Sequence, residues 1–244
     1  MDFLRRLREA CSLLEWRELR ARPAVCPLCG PSVIVQLNAS AIGVRCLRCA
    51  GSAITMSLVS VLRLEIGNLA TLHDYELSSR GPLVNWLRRS AGCVTCSEYF
   101  DGVPLGETVK NVQCEDVQQL TYASASFDLC TSTEVFEHVP DDLRGFAELH
   151  RVLRPGGRLV FSVPMSSAAR TVERAVLVGG EIHHLLPPEY HGDRIRGQGR
   201  VLAYRNYGLD ILDRVSSQGF RDVRFVQPAH QIGRWAQPII VATA

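Results

Sequence analysis

The sequence has little net charge, no long apolar run and no segment of the secretory type. The net charge of its 244 residues is only +2, so no basic field over the whole chain favours nucleic-acid binding. The most apolar stretch, residues 53–62, is followed at once by Arg63 and Glu65, far short of the ~20 apolar residues that cross a bilayer. Charges recur throughout the N-terminal residues, unlike those of a signal peptide. We therefore expect no membrane span and a cytoplasmic protein.

The composition is that of a globular protein, with 46% apolar and 21% charged residues. A chain of this length can hold one α/β domain and a small appendage. Cysteine is abundant but odd in number, at nine, which argues against a disulfide framework and for a reducing compartment.

Four of the cysteines form two CxxC pairs, Cys26 with Cys29 and Cys46 with Cys49. Two thiolates on one tight turn can reach the same ion, and four thiolates suit tetrahedral zinc with no open position. The spacing therefore predicts a structural zinc site, with reduced buried cysteines or a redox pair as the alternatives. The further pair CVTC, at 93–96, falls in an apparent strand where the two side chains face opposite sides, so we interpret both as core residues.

An apolar stripe at helical spacing over residues 2–20 predicts an amphipathic helix. A helix that docks on a domain is favoured over one that binds a membrane surface or a partner. The sequence divides into this helix at 1–24, a zinc-ribbon-like module at 25–51, a linking helix at 52–69 and a larger domain at 70–244.

The larger domain is organised around residues 127–164, which predict a strand, a loop, a helix, a turn and a second strand. Apolar residues recur at helical spacing between Leu143 and Leu153, and Pro155-Gly156-Gly157 is expected to end the helix. The second strand is predicted at 159–163. In such a βαβ unit, ligands bind beyond the carboxyl ends of the parallel strands.

The segments FDLCTSTEVFEHV and ELHRVLRPGGRLVFSVP resemble class I S-adenosylmethionine (SAM)-dependent methyltransferases, of the small-molecule type with a D-EHV-RVLKPGG pattern. Arg154 stands where the family has lysine. The resemblance implies an α/β fold with a Rossmann-like, mostly parallel sheet over residues 70–244, to which the small N-terminal zinc-binding module is appended. It implies SAM as the cofactor.

The resemblance also implies a set of cofactor-binding residues. Three acids each follow an apparent strand: Glu76, Glu98 as the partner of the ribose hydroxyls, and Asp116 as the acceptor from the adenine amino group. The family's glycine-rich loop ExGxGxG is replaced here by ELSSRGP, in which Gly81 is the remaining glycine. The predicted cofactor-binding residues are Glu76, Ser78, Gly81, Glu98, Tyr99, Asp116, Val117 and Thr133.

Residues 165–200 are too long for an ordinary connection and predict a lid or a substrate-binding insertion, with a plain surface loop as the alternative. Tyr190 and His191 are the candidate catalytic residues because this insertion can overhang the site. His138 is interpreted as part of a structural turn.

The predicted function is methyl transfer from SAM to an acceptor, most readily a small molecule, with nucleic acid and protein acceptors left open. The alternative is a methyltransferase-fold protein without turnover whose zinc module binds RNA or protein. A dinucleotide-dependent reductase is disfavoured because GxGxxG is absent after the first strand.

Overall fold

The computed structural model of the protein describes residues 14–192, 199–229 and 235–244. None of the helices in these ranges is long and apolar enough to cross a membrane. The chain forms two units. The smaller is drawn from Met1–Gly67, Arg80–Trp86 and Val226–Ile239, and the larger from Asn68–Ser79, Leu87–Phe225 and Ile240–Ala244.

The smaller unit contains a three-stranded antiparallel sheet, formed by β1 (Arg20–Cys26), β2 (Gly30–Gln36) and β3 (Val44–Cys46). Helix α1 (Ala53–Glu65) follows and buries its first ten residues, as expected from its apolar sequence. Ser52 caps this helix by accepting a hydrogen bond from the Thr55 amide. A helix is therefore present within the predicted range 52–69, and it belongs wholly to the smaller unit.

The amphipathic helix predicted for residues 2–20 lies outside the described residues as far as position 13. The remainder of that prediction is wrong, because residues 16–18 form a turn and Arg20 already begins β1. Pairing of Arg20 with Gln36 across the β1–β2 ladder overrides the helical spacing of the apolar residues. The ribbon thus begins earlier than the predicted residue 25.

The larger unit is built on an eight-stranded sheet. Helices α2 (Pro82–Ser90), α3 (Asp142–Val152) and α4 (Ile211–Ser216) follow in chain order. The strands from β4 onward are β4 (His73–Glu76), β5 (Cys93–Glu98), β6 (Thr108–Val109), β7 (Val112–Cys114), β8 (Phe127–Thr133), β9 (Leu153–Ser162), β10 (Val172–Glu173), β11 (Ala175–Val178), β12 (Glu181–His184), β13 (Tyr190–Gly192), β14 (Arg200–Leu202), β15 (Arg205–Asn206), β16 (Arg221–Val226) and β17 (Ile239–Thr243).

Strand β4 lies at the centre and pairs in parallel with β5 and β8, which in turn pair in parallel with β7 and β9. Antiparallel pairing occurs towards the margins, between β17 and β9 and between β6 and β7. This confirms the predicted Rossmann-like, mostly parallel sheet. The carboxyl ends of its five parallel strands consequently share one edge, where ligands bind in open α/β sheets.

The βαβ unit is present, but the prediction that Pro155-Gly156-Gly157 ends the helix is wrong. Helix α3 ends at Val152 and β9 begins directly at Leu153. The strand register shifts here, because Phe127 pairs with Leu153 whereas Leu129 pairs with Arg158. Gly156 has a φ of +81°, so the Pro-Gly-Gly segment forms a bulge within the strand.

Within residues 165–200, the described residues 172–192 contain paired strands, so the alternative of a plain surface loop is wrong there. Strands β11 and β12 pair around Gly179-Gly180, whose φ angles of 59° and 86° suit a two-residue hairpin turn. Strand β13 pairs with β14, and β10 pairs with β15. Backbone pairing therefore orders the insertion, with a small buried cluster of Ala175, Leu202 and Tyr204.

Candidate functional site

The three acids predicted to bind the cofactor lie at the carboxyl edge of the sheet. Glu76 is the last residue of β4 and Glu98 the last residue of β5. Asp116 lies two residues beyond Cys114, the last residue of β7 and the register partner of Glu98. The parallel strands thus bring the three positions to one edge of the sheet, and their roles towards a cofactor remain predictions.

Glu76 is buried, with 1% of its surface exposed, and its Oε2 accepts a 2.6 Å hydrogen bond from Thr131 Oγ1. Its Oε1 has no hydrogen-bond partner among the described residues. Burial raises the pKa of Glu76 well above its ordinary value, and the nearby carboxyl of Asp74 adds to this effect. A buried acceptor without a partner at a ligand-binding edge is complementary to an N–H group of a bound molecule, as SAM would supply.

The loop after β4 is tied to the end of β5 by Ser79. Its backbone amide and its hydroxyl both donate to Glu98 Oε1, each at 2.8 Å. These two bonds fix the carboxylate at the edge of the sheet. Ser79 was not among the residues predicted from the sequence, although a hydroxyl in the loop after the first central strand pointed to it. The predicted Gly81 has a φ of +116° and belongs to the smaller unit.

The two acids after β7 differ in their contacts. Glu115 is buried and accepts hydrogen bonds from Gln113 and from the backbone and side chain of Thr121, so it holds the loop together. Asp116 is less buried and accepts from the amide and side chain of Gln118, which orient its carboxylate. This difference supports Asp116, which is followed by the buried Val117, as the candidate for ligand contact.

The remaining predicted positions are placed as follows. Tyr99 comes directly after β5 and is 38% exposed, and Thr133 ends β8 in register with Ser162. Ser78 lies in the loop between Leu77 and Ser79.

The four cysteines of the two CxxC pairs converge in the smaller unit, with all four sulfur atoms within 4.8 Å of one another. The Sγ atoms of Cys26 and Cys49 are 3.7 Å apart, and those of Cys29 and Cys46 are 3.6 Å apart. Burial raises the pKa of Cys26 and of Cys29, the latter to about 11. At Cys46 burial is outweighed by hydrogen bonds from Ser32 and two backbone amides, which lower its pKa to about 6.

The interpretation of Cys93 and Cys96 as core residues is wrong, because Cys93 is exposed and Cys96 is only partly buried. Cys93 is the first residue of β5 and lies at the amino edge of the sheet. The sequence pattern showed the strand but not which of its ends reaches solvent.

The two candidate catalytic residues of the insertion differ in their surroundings. Tyr190 is 45% exposed, and the guanidinium of Arg200 stacks on its ring at 4.4 Å. His191 lies beside Glu137 and His138, and the three side chains place one ligand atom each within 4.8 Å of the others. His138 belongs to a 3₁₀ turn at Phe136–His138, as predicted.

Comparison with known proteins shows which proteins this chain is similar to. Residues 81–161 match the family model described as a methyltransferase domain. The solved structure of an S-adenosylmethionine-dependent methyltransferase from Mesorhizobium loti aligns with a TM-score of 0.50 and 20% identity, covering 77% of this chain and 98% of that one. The fold is that of a class I methyltransferase.

Curated relatives match less than half of this chain. A ubiquinone biosynthesis O-methyltransferase from Coxiella burnetii is 35% identical over 106 residues, which are 42% of this chain and 44% of that protein. A malonyl-[acyl-carrier protein] O-methyltransferase from Hahella chejuensis is 28% identical over 130 residues, covering 49% and 47% of the two chains. The chain therefore spans less than half the length of these relatives.

Proposed function

We propose that this protein transfers a methyl group from SAM to a small-molecule acceptor. The proposal rests on the placement of three acids at one edge of the parallel sheet. Glu76 and Glu98 end two neighbouring strands, and Asp116 follows the next strand of this class I methyltransferase fold. The match of residues 81–161 to a methyltransferase domain supports the same activity.

The residues at this edge fit the parts of SAM. Glu98, fixed by Ser79, would accept hydrogen bonds from the ribose hydroxyls, and Asp116 would accept one from the adenine amino group. The buried Glu76 Oε1 would accept from an N–H donor of the ligand. When bound, SAM supplies an activated methyl group, so the chain has mainly to position the acceptor nucleophile in line.

An oxygen atom of a small molecule is the acceptor that we propose. The two curated relatives are both named as O-methyltransferases, and one name refers to ubiquinone biosynthesis. An oxygen nucleophile benefits from loss of its proton before or during transfer. The half-buried His191 of the insertion is the candidate base, whereas Tyr190 is exposed and stacked with Arg200.

We further propose a structural zinc ion at the four clustered cysteines. Separations of 3.6 and 3.7 Å between sulfur atoms agree with two Zn–S bonds of about 2.3 Å at a tetrahedral angle. Four protein ligands leave no position for a substrate. Reduced thiols in this cluster also favour a reducing compartment, so we propose a cytoplasmic location.

Calorimetry of the full chain with SAM and, separately, with NAD tests the cofactor assignment. We expect SAM to bind and NAD not to bind. Glu98→Ala and Asp116→Ala should each weaken SAM binding by roughly tenfold or more, because each removes a charge-assisted hydrogen bond. Asp101→Ala, at an exposed position shortly after β5, is the matched control.

Failure of the zinc-replete protein to bind SAM would refute the proposal. If SAM binds but Glu98→Ala leaves the affinity unchanged, the ribose assignment is wrong. Labelled SAM incubated with the protein and fractionated small-molecule extracts would then identify the acceptor. Binding of SAM without label transfer to any fraction would instead favour a methyltransferase-fold protein without turnover.

A further inference from the structure

A buried carboxylate without a hydrogen-bond partner among the described residues lies four positions beyond the end of β8. Glu137 belongs to the 3₁₀ turn at Phe136–His138 and is 1% exposed. Neither of its carboxylate oxygens accepts a hydrogen bond from any part of the chain that the structure describes. Because an isolated carboxylate is costly to bury, a cation is expected beside it.

Two histidines, His138 and His191, each direct one ring nitrogen at the carboxylate of Glu137. His138 Nδ1 lies 2.8 Å from the carbonyl oxygen of Leu202, which can only accept, so Nδ1 carries a proton and, in the neutral ring, Nε2 holds the lone pair. Nε2 lies 3.5 Å from Glu137 Oε1. The lone pair of the ring therefore faces a carboxylate oxygen.

His191 repeats this arrangement from the β13 strand of the insertion. Its Nε2 lies 3.3 Å from Glu189 Oε1, and its Nδ1 lies 3.7 Å from Glu137 Oε1. The rings of His138 and His191 are 4.9 Å apart and nearly perpendicular, at 86°. Each histidine thus has one nitrogen held by an oxygen acceptor and the other directed at Glu137.

Histidines that bind metals usually donate the proton of their second ring nitrogen to a carboxylate or a backbone carbonyl. Here the second nitrogens face Glu189 and Leu202 in this way. The separations of 3.5 and 3.7 Å from Glu137 are long for hydrogen bonds. They are of the size expected between ligands that surround one ion at bond lengths of about 2.0–2.2 Å.

We propose that Glu137, His138 and His191 bind a divalent first-row transition-metal ion such as zinc, manganese or iron(II). Two imidazoles and one carboxylate are a ligand set that these ions accept, and three protein ligands leave at least one coordination position for water or an oxygen-bearing molecule. Metal on Nδ1 and Glu189 on Nε2 would occupy both ring nitrogens of His191, so this role excludes that of a base in methyl transfer, and the proposal concerns metal binding alone.

This site differs in chemistry from the cysteine cluster. The four thiolates form a soft, closed site in the smaller unit, whereas the Glu137 site is a harder nitrogen and oxygen site within the larger unit. The full chain should consequently bind two metal ions with different spectra. Cobalt(II) distinguishes them, because thiolate ligands give intense charge-transfer absorption and imidazole and carboxylate ligands do not.

The test is to load the full-length protein with Co²⁺ or Zn²⁺, remove excess metal and measure metal per chain together with the cobalt spectrum. Wild-type protein should retain two ions. Glu137→Gln and His191→Ala should each retain one, with the thiolate absorption unchanged. His183→Ala, at an exposed histidine of β12, should retain two and is the matched control.

A graded variant adds a second readout. Glu189→Gln leaves the three ligands in place but weakens the acceptor for His191 Nε2, so the affinity for the second ion should fall by roughly 10–100-fold. Should Glu137→Gln fail to fold, the variant His191→Ala, at a half-buried position, still tests the proposal. One ion per chain in wild-type protein, or a second ion that survives both ligand substitutions, would overturn the proposal.

Discussion

At the scale of single residues, the centre of the sheet holds two acids that share one hydroxyl. Thr131 Oγ1 lies 2.6 Å from Glu76 Oε2 and 3.2 Å from Asp74 Oδ2, and both acids are buried. A hydroxyl has one proton to donate, so it can satisfy only one carboxylate at a time. The other carboxyl is left without this proton, and the longer contact indicates that this carboxyl is that of Asp74.

This arrangement predicts an unusual pH dependence of stability. Burial raises the pKa of Asp74 from 3.8 to about 8, so the folded protein holds a proton that the unfolded chain releases near pH 4. The folded state therefore binds more protons between these values, and the free energy of unfolding falls as pH rises through this range. Asp74→Asn removes this contribution. The free energy of unfolding of the variant, taken relative to that of wild type at the same pH, should therefore be higher at pH 8 than at pH 5 by on the order of 1–3 kcal/mol.

Urea unfolding of wild type and Asp74→Asn at several pH values between 5 and 8 measures this difference. Asp128→Asn is the control of opposite sign, since the hydrogen bond from Arg154 lowers the pKa of Asp128 despite the opposing effect of burial. That variant should lose stability near neutral pH. A difference between Asp74→Asn and wild type that is the same at every pH would contradict the argument.

The residue-scale findings show which side chains a sequence can assign. Glu76, Glu98 and Asp116 could be selected because each follows a strand, and strand ends are visible in the apolar pattern. The pairing of Ser79 with Glu98 could not, since it depends on the path of a loop between neighbouring strands. The Glu137 site was missed for the same reason, because His191 reaches it from a separate strand 54 positions later in the chain.

At the scale of elements, the bulge at the start of β9 requires a residue without a side chain. A Cβ atom at Gly157 would lie 2.8 Å from the backbone oxygen of Arg154 and 3.1 Å from that of Asp128. Both obstacles are backbone atoms of paired strands, so neither can move without disturbing the sheet. We expect Gly157→Ala to lower the free energy of unfolding by about 1–3 kcal/mol.

Chemical unfolding of Gly157→Ala beside Gly192→Ala tests this expectation. A Cβ atom at Gly192 meets nothing within 4 Å, so the control should stay within about 0.5 kcal/mol of wild type. Equal stability of the two variants would show that the bulge tolerates a side chain. The sequence predicted the end of a helix here because Pro-Gly-Gly disrupts helices. The same residues also suit a β-bulge, and the pairing of Arg158 with Leu129 in the neighbouring strand decides for the bulge.

At the scale of the whole molecule, the sequence located the cysteine pairs and the long parallel strands, but it did not predict that Arg80–Trp86 and Val226–Ile239 belong to the smaller unit. The cysteine pairs predicted a small N-terminal module, and the βαβ pattern predicted the large sheet. The internal structure of residues 165–200 was not predictable, because its short strands are specified by their pairing and by Gly179-Gly180 rather than by apolar periodicity.

The small ribbon of the N-terminal module offers the last prediction. Its three strands and the turn between β1 and β2 bury few side chains, chiefly Cys26, Leu28, Ile34, Val44 and Cys46. A core of this size does not stabilise a sheet by itself, and two of its members are proposed metal ligands. Removal of zinc should therefore expose the β1–β3 amides to solvent, because metal binding in such modules contributes directly to folding.

Hydrogen exchange followed by mass spectrometry of peptides from residues 20–46 measures this effect. Treatment with a strong zinc chelator, or the substitution Cys49→Ser, should speed exchange of β1–β3 amides by at least tenfold. Cys93→Ser, at an exposed cysteine outside the cluster, should leave exchange unchanged. If these amides stay protected after all metal has been removed, hydrogen bonds and apolar contacts alone hold the strands, and the cysteines are then ordinary buried thiols.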